Sequence, residues 1–240
     1  MRCDGRAADE LRLVQIELAP IQHAEGSALV HMGKTRVLCA VSVEPRTPAW
    51  LRGQGRGWLT AEYALLPRAT HTRTPRSHIQ GGRAQEIRRL IGRVLRQAVC
   101  LDHLGEITLT VDCDVLVADG GTRTAAVNGG YVAVALALNK LIESGAIPPT
   151  ALRPPIGAVS VGRIGETLLL DLAYEEDVQA DMDLNVAMDA YGKFVEIQGT
   201  AEGEPISREH LGLLLDLASD GIRDLVASQR EALACVGIEV

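Results

Sequence analysis

The sequence predicts an α/β fold in which antiparallel or mixed sheets carry packed helices. Three observations lead there. The first 65 residues read as short strands broken by glycine turns. Residues 83–101 place apolar side chains at three- and four-residue spacing, the period of an amphipathic helix. Residues 107–115 alternate polar and apolar, then run through two glycines into a mostly apolar segment at 125–141. No low-complexity linker or internal repeat divides the 240 residues, so residues 1–240 are expected to form one domain. A domain of this size buries roughly 70% or more of its unfolded surface.

The elements follow in order. Strands are expected at 11–18, 27–31, 36–43 and 58–65, punctuated by Gly26 and by Gly33-Lys34. Gly53-Gln54-Gly55-Arg56-Gly57 is a loop without the strand–turn–helix setting of a dinucleotide fingerprint. Residues 67–82 form a polar, basic loop containing His71 and His78, which suit RNA contact or solvent better than catalysis. The helix at 83–101 buries Ile87, Leu90, Ile91, Val94 and Leu95. After Pro148-Pro149, strands at 156–161 and 167–172 make a hairpin turned by residues 162–165. Strands at 184–188 and 194–198 make another, turned near Gly192, and Ser207 caps a long final helix.

Composition narrows the function. Hydrophobic residues are 47% and charged residues 23%, a globular balance, while aromatics are only 3%, too few for a protein built around base stacking. The five cysteines are scattered, which fits neither a zinc site nor a disulfide framework and suits a reducing compartment. The N-terminus has no apolar signal-peptide core, and no apolar run approaches the ~18 residues of a membrane span. A cytoplasmic protein without membrane contact is expected. Net charge is −7, yet residues 68–96 hold eight arginines against the single acid Glu86. A basic region on an acidic body points to a defined polyanion site.

The sharpest local signal is Asp119-Gly120-Gly121-Thr122-Arg123-Thr124, between a strand and a helix. Glycines allow close backbone approach, the first helical turn leaves amides unpaired, and Arg123 adds a planar cation. Together they suit an anion, most naturally phosphate. The same hexapeptide equally serves as a tight turn capped by Thr122. Gly81-Gly82 precede a second helix with Arg83 in its first turn, so the two junctions are expected to converge on one phosphate. Asp177, Asp181 and Asp183 cluster in what reads as a polar connection between strands. Paired aspartates can hold Mg²⁺ or supply a general acid, but composition alone favours a solvated acidic loop. Asp112 and Asp114 flank Cys113 on one strand face and are read as structural.

Longer runs carry a resemblance. They are His23-Ala24-Glu25-Gly26-Ser27, Thr60-Ala61-Glu62-Tyr63, Leu66-Pro67-Arg68-Ala69-Thr70-His71-Thr72-Arg73, Gln85-Glu86-Ile87, Asp112-Cys113-Asp114-Val115-Leu116 and Val195-Glu196-Ile197-Gln198-Gly199-Thr200-Ala201-Glu202-Gly203-Glu204-Pro205. With the hexapeptide they lie along nearly the whole chain, in order, and the sequence closely resembles the ribonuclease PH family of phosphate-dependent 3′ exoribonucleases.

The resemblance implies a ribonuclease PH-type α/β domain, related to a domain of ribosomal protein S5, in a homo-hexameric ring built as a trimer of dimers. It implies an enzyme that trims the 3′ ends of tRNA precursors, with inorganic phosphate as co-substrate and nucleoside diphosphates as products. By the same resemblance Arg83, Gly121, Thr122 and Arg123 bind phosphate, and Asp177 and Asp183 serve catalysis and hold a divalent metal, Mg²⁺. Arg68, Arg73 and Arg76 contact RNA, partly across a subunit boundary. Two features depart from the family pattern: the loop at 73–82 is about three residues short, and Ala84 replaces a small hydroxyl residue beside Arg83. The rival class is a non-catalytic RNA-binding subunit of an exosome-like ring. A third option is a metal-dependent hydrolase using water.

Overall fold

The computed structural model describes residues 2, 4–76, 81–202 and 205–240. His78 and Cys3 lie outside the described residues, as do Gly203 and Glu204 of the last motif run.

Two sheets share one aliphatic core. The first has the order β1-β2-β3-β5-β4, from Val14–Leu18 (β1), Gly26–Met32 (β2), Thr35–Glu44 (β3), Trp58–Leu65 (β4) and Thr108–Val117 (β5). Strand β4 runs parallel to β5 through the crossover helix α1, Gly82–Arg96; the other pairings are antiparallel. The second sheet has the order β7-β6-β8-β9, from Ile156–Ile164 (β6), Thr167–Leu170 (β7), Met182–Asp189 (β8) and Phe194–Ala201 (β9). The short helix α3, Tyr174–Asp177, joins β7 to β8, and α4, Arg208–Ala234, packs on β6 and β8 and also reaches β1. Ser207 caps α4 as expected, accepting the His210 amide at 3.1 Å.

Helix α2, Thr122–Glu143, lies between the sheets, against β2 and β3 on one side and β6 on the other. A helix apolar on every side must be buried. Its length and composition would suffice to cross a membrane, contrary to the expectation from runs of apolar residues, but the segment is 72% buried within the fold. Its interior polar residue, Asn128, fixes the docking. Asn128 Nδ2 donates to the Ala158 carbonyl at 2.8 Å, and its Oδ1 accepts the Ala158 amide at 3.0 Å and Gln229 Nε2 at 3.2 Å. One side chain thus ties α2 to β6 and α4, and an apolar replacement would strand buried backbone groups.

Several expected boundaries shift. The helix from residue 83 stops at Arg96 rather than at 101, because Val99 bridges Leu152 and the Cys100 amide donates to the Ala151 carbonyl at 2.8 Å. Strand β1 pairs only from Val14, since the Arg12 amide is committed to Asp171. Gly162 lies within β6 opposite Asp183; the hairpin turns at Gly165-Glu166 instead. The four described cysteines are free thiols, of which Cys39 and Cys113 are buried.

Candidate active site

A cleft of about 710 Å³ opens where the two halves of the fold meet. Its basic wall begins at the end of β5. Gly120 (φ 79°) and Gly121 (φ 63°) both take the left-handed backbone that favours glycine and turn the chain into α2. Gly121 is the N-cap and, having no side chain, offers no cap to the amides of the first turn. Thr122 is therefore not the cap. It is the first helical residue, and its hydroxyl shares a 2.8 Å hydrogen bond with the Tyr63 hydroxyl. Helix α1 enters the same cleft from Gly81, again without a side-chain cap, consistent with Ala84 standing where a hydroxyl was expected. Arg83, Gly121, Thr122 and Arg123 all line the cleft, so the two glycine junctions do converge.

Arg123 is oriented rather than loose. Its Nη1 donates to Gln198 Oε1 at 3.1 Å and to Glu86 Oε1 at 3.3 Å, and Gln198 Nε2 donates to the same Glu86 oxygen at 3.0 Å. This triangle joins α2, α1 and β9. Glu86, Gln198 and Tyr63 were not singled out in the sequence, although all three fall in the quoted motif runs. Their partners lie far along the chain, so no local pattern marks them.

The acidic wall belongs to the second sheet. Asp177 is the last residue of α3, and Asp183 lies within β8, opposite Gly162 and Thr200. Asp183 is half-buried within a strand, so the solvated-loop reading fails for it; Asp177 stays exposed, on the short helix that connects β7 to β8. Asp181 turns away and braces the β6–β7 hairpin, accepting the Gly165 amide at 2.8 Å. Glu176 is also structural: it takes two 2.7 Å bonds from Arg2 and accepts the Ala173 amide at 2.9 Å. Asp177 stands at the mouth of the cleft. The protein around its carboxylate strips enough water to raise its pKa, against the pull of Arg83, Arg123 and Arg12. Desolvation raises Asp183 too, and the neighbouring Asp177 charge adds to it. Asn185 Nδ2 lies 3.4 Å from Asp183 Oδ2.

The remaining residues divide. His71 and Thr72 reach the rim of the cleft, whereas Arg68, Arg73 and Arg76 are exposed and do not line it. Asp112 and Asp114 also lie outside it, and desolvation raises both. Among the described residues no group of three or more His, Cys, Asp or Glu forms a metal cage. An anion seated between Arg83, Arg123 and the amides of α2 would face the two carboxylates across the cleft, a layout for transfer between two phosphates.

Comparison with known proteins gives the chain a family. The 3′ exoribonuclease family model matches in two parts, domain 1 over residues 10–138 and domain 2 over residues 154–221. The first part supplies the basic wall and the second the acidic wall. A ribonuclease PH of Moorella thermoacetica is 50% identical over 243 residues, covering 100% of this chain and 97% of that one. Among solved structures, a chain of the Archaeoglobus fulgidus exosome with RNA bound to the active site superposes with a TM-score of 0.80 at 27% identity, over 93% of this chain and 91% of that chain. Rice (Oryza sativa) Rrp46 superposes with a TM-score of 0.79 at 20% identity, over 97% of this chain and 100% of that chain, a likeness of fold. Matched in both family domains and half identical to a ribonuclease PH along its whole length, the chain belongs to the 3′ exoribonuclease family.

Proposed function

We propose that this chain is a phosphate-dependent 3′→5′ exoribonuclease that trims the 3′ ends of tRNA precursors in the cytoplasm and releases nucleoside diphosphates. The carrying observation is the cleft itself: Arg83, Arg123 and the uncapped start of α2 face Asp177 and Asp183. In this reading residues 1–240 act as one catalytic unit, because each matched part contributes one wall.

Orthophosphate is the attacking group, and the phosphodiester it approaches is also anionic. Two unit charges 4 Å apart repel by about 1 kcal/mol in water and about 4 kcal/mol near a protein surface. Arg83, Arg123 and the amides of residues 121 and 122 offset that repulsion and hold the phosphate in line with the terminal linkage. Gln198 and Glu86 keep the Arg123 fork in one plane. A carboxyl held above the ordinary aspartate range suits a general acid, and we assign protonation of the departing 3′ oxygen to Asp177. The reaction exchanges one phosphate linkage for another, so nucleoside diphosphates should extend RNA in reverse.

Two carboxylates on an open cleft fit Mg²⁺, which takes one or two carboxylates and completes its shell with water and substrate phosphate. Asp183 and, once it has given up its proton, Asp177 would hold it, and when bound it would neutralise charge on the scissile phosphodiester. Arg68, Arg73 and Arg76 are exposed outside the cleft wall. That placement supports a role for them on RNA at a neighbouring subunit, within a homo-hexameric ring assembled as a trimer of dimers. An inert ring subunit would have no reason to keep both the phosphate arginines and the acidic pair.

The test uses a 3′-tailed RNA with and without orthophosphate. Nucleoside diphosphates released only with phosphate are the expected result. Monophosphates released without it would make the enzyme a hydrolase, and no release in either case would favour the inert ring subunit.

A further inference from the structure

Arg12 and Asp171 form a buried ion pair to which the chemistry above gives no role beyond the pull of Arg12 on the Asp177 carboxylate. Their side chains are 4% and 0% exposed. Asp171 Oδ2 accepts the Arg12 amide at 2.9 Å and Nε at 2.8 Å, and its Oδ1 accepts Nη2 at 2.6 Å. Asp171 itself holds a left-handed backbone (φ 53°), which its surroundings must impose. A buried pair of this kind gives little net stability, because desolvation offsets the attraction. What it does give is geometry.

The rest of the Arg12 fork reaches the phosphate turn. Nη1 donates to the Asp119 carbonyl at 2.6 Å, and Nη2 lies 3.4 Å from the Gly120 carbonyl. Thr35 holds the same turn from the other side: its hydroxyl donates to the Gly120 carbonyl at 2.7 Å and accepts the Asp119 amide at 3.0 Å. The turn also rests directly on the chain entering α3. A Cβ on Gly120 would overlap the Leu172 carbonyl and come within 2.8 Å of the Tyr174 amide. On the far side, the Asp171 carbonyl accepts Arg2 Nη2 at 3.0 Å, and Arg2 grips Glu176, the residue before Asp177. A continuous set of contacts therefore runs from the phosphate turn through Arg12 and Asp171 to the acidic helix.

We propose that Arg12 is a positioning residue whose pairing with Asp171 sets the distance between the phosphate turn and the Asp177 helix, and so between bound phosphate and the carboxylates. The proposal rests on the phosphate reading of the cleft. Lysine cannot replace this arginine, because a single ammonium cannot hold Asp171 and two carbonyls in one plane.

Arg12→Lys and Asp171→Asn, which preserve most of the volume, provide the test, with Thr35→Val as the control that loosens the turn alone. Amide hydrogen exchange is measured over residues 119–125 and 172–178, beside steady-state kinetics. In both clamp variants, exchange should rise in both segments. The KM for phosphate should increase about tenfold, as loss of one or two charge-assisted bonds implies, and kcat should fall while the KM for RNA holds. In Thr35→Val, exchange should rise in 119–125 only. If whichever clamp variant folds leaves 172–178 as protected as in the wild type, or leaves the KM for phosphate unchanged, the proposal is overturned. A wild type whose turnover ignores phosphate would remove the phosphate reading, while the exchange result still decides whether Arg12 couples the two segments.

Discussion

One wall of the cleft is made of backbone and arginine, the other of carboxylates on a short helix and a strand. The basic wall takes most of its donors from consecutive residues, namely two left-handed glycines, the first turn of α2 and Arg123, and adds Arg83 from the start of α1. The acidic wall takes Asp177 from the end of a four-residue helix and Asp183 from within a strand. Anion binding by a helix start is a local property of the chain. A carboxylate pair becomes a site only when tertiary structure brings it beside cations and strips its water. The two walls should therefore fail differently when altered.

The largest expected effect is on the acidic side. Asp183→Asn should lower turnover by about 10³-fold while RNA affinity, read by a gel-shift or anisotropy titration, stays near the wild-type value. An active variant would remove Asp183 from the chemistry. On the basic side, Arg123→Ala should lower phosphate-dependent turnover by about 10²-fold, leave ring assembly intact, and be partly relieved by raised phosphate. A loss insensitive to phosphate concentration would place Arg123 in some other role.

A smaller effect separates the cleft carboxylates from those elsewhere. Desolvation raises Asp112, with help from Asp114 and Glu62, yet Asp112 does not line the cleft. A raised carboxyl binds more protons folded than unfolded between its ordinary and its raised pKa. Stability is therefore lost as pH climbs through that window, and the full cost remains at neutral pH. Asp112→Asn should raise the melting temperature slightly at neutral pH, lose that advantage as pH falls below the ordinary carboxylate range, and leave turnover unchanged. A drop in kcat would show that lining the cleft had been a poor guide to which carboxylates serve the reaction.

This contrast also explains what the sequence revealed. Strands β2 to β5 and helices α2 and α4 were legible because their apolar periods are long and their glycines local. Arg83 and Arg123 were legible because each follows two glycines at a helix start. The end of α1 was misread, since Ala98 and Val99 keep the apolar rhythm while pairing with residues 151–153 instead. Whether Thr122 caps the turn was left open by the sequence, because Tyr63, its partner, is 59 residues away. The acidic pair was ambiguous for the same reason: six positions of sequence cannot say that β8 pairs with β6 and aims Asp183 at the arginines. Arg12 and Asp171, 159 residues apart, leave no local trace at all.

Calorimetric titration of orthophosphate into the wild type, Arg123→Ala and Asp183→Asn tests the division of labour most directly. Uptake by the wild type and by Asp183→Asn, with much weaker uptake by Arg123→Ala, is the expected result. No uptake by the wild type, or equal loss in both variants, would contradict a basic wall that captures phosphate on its own.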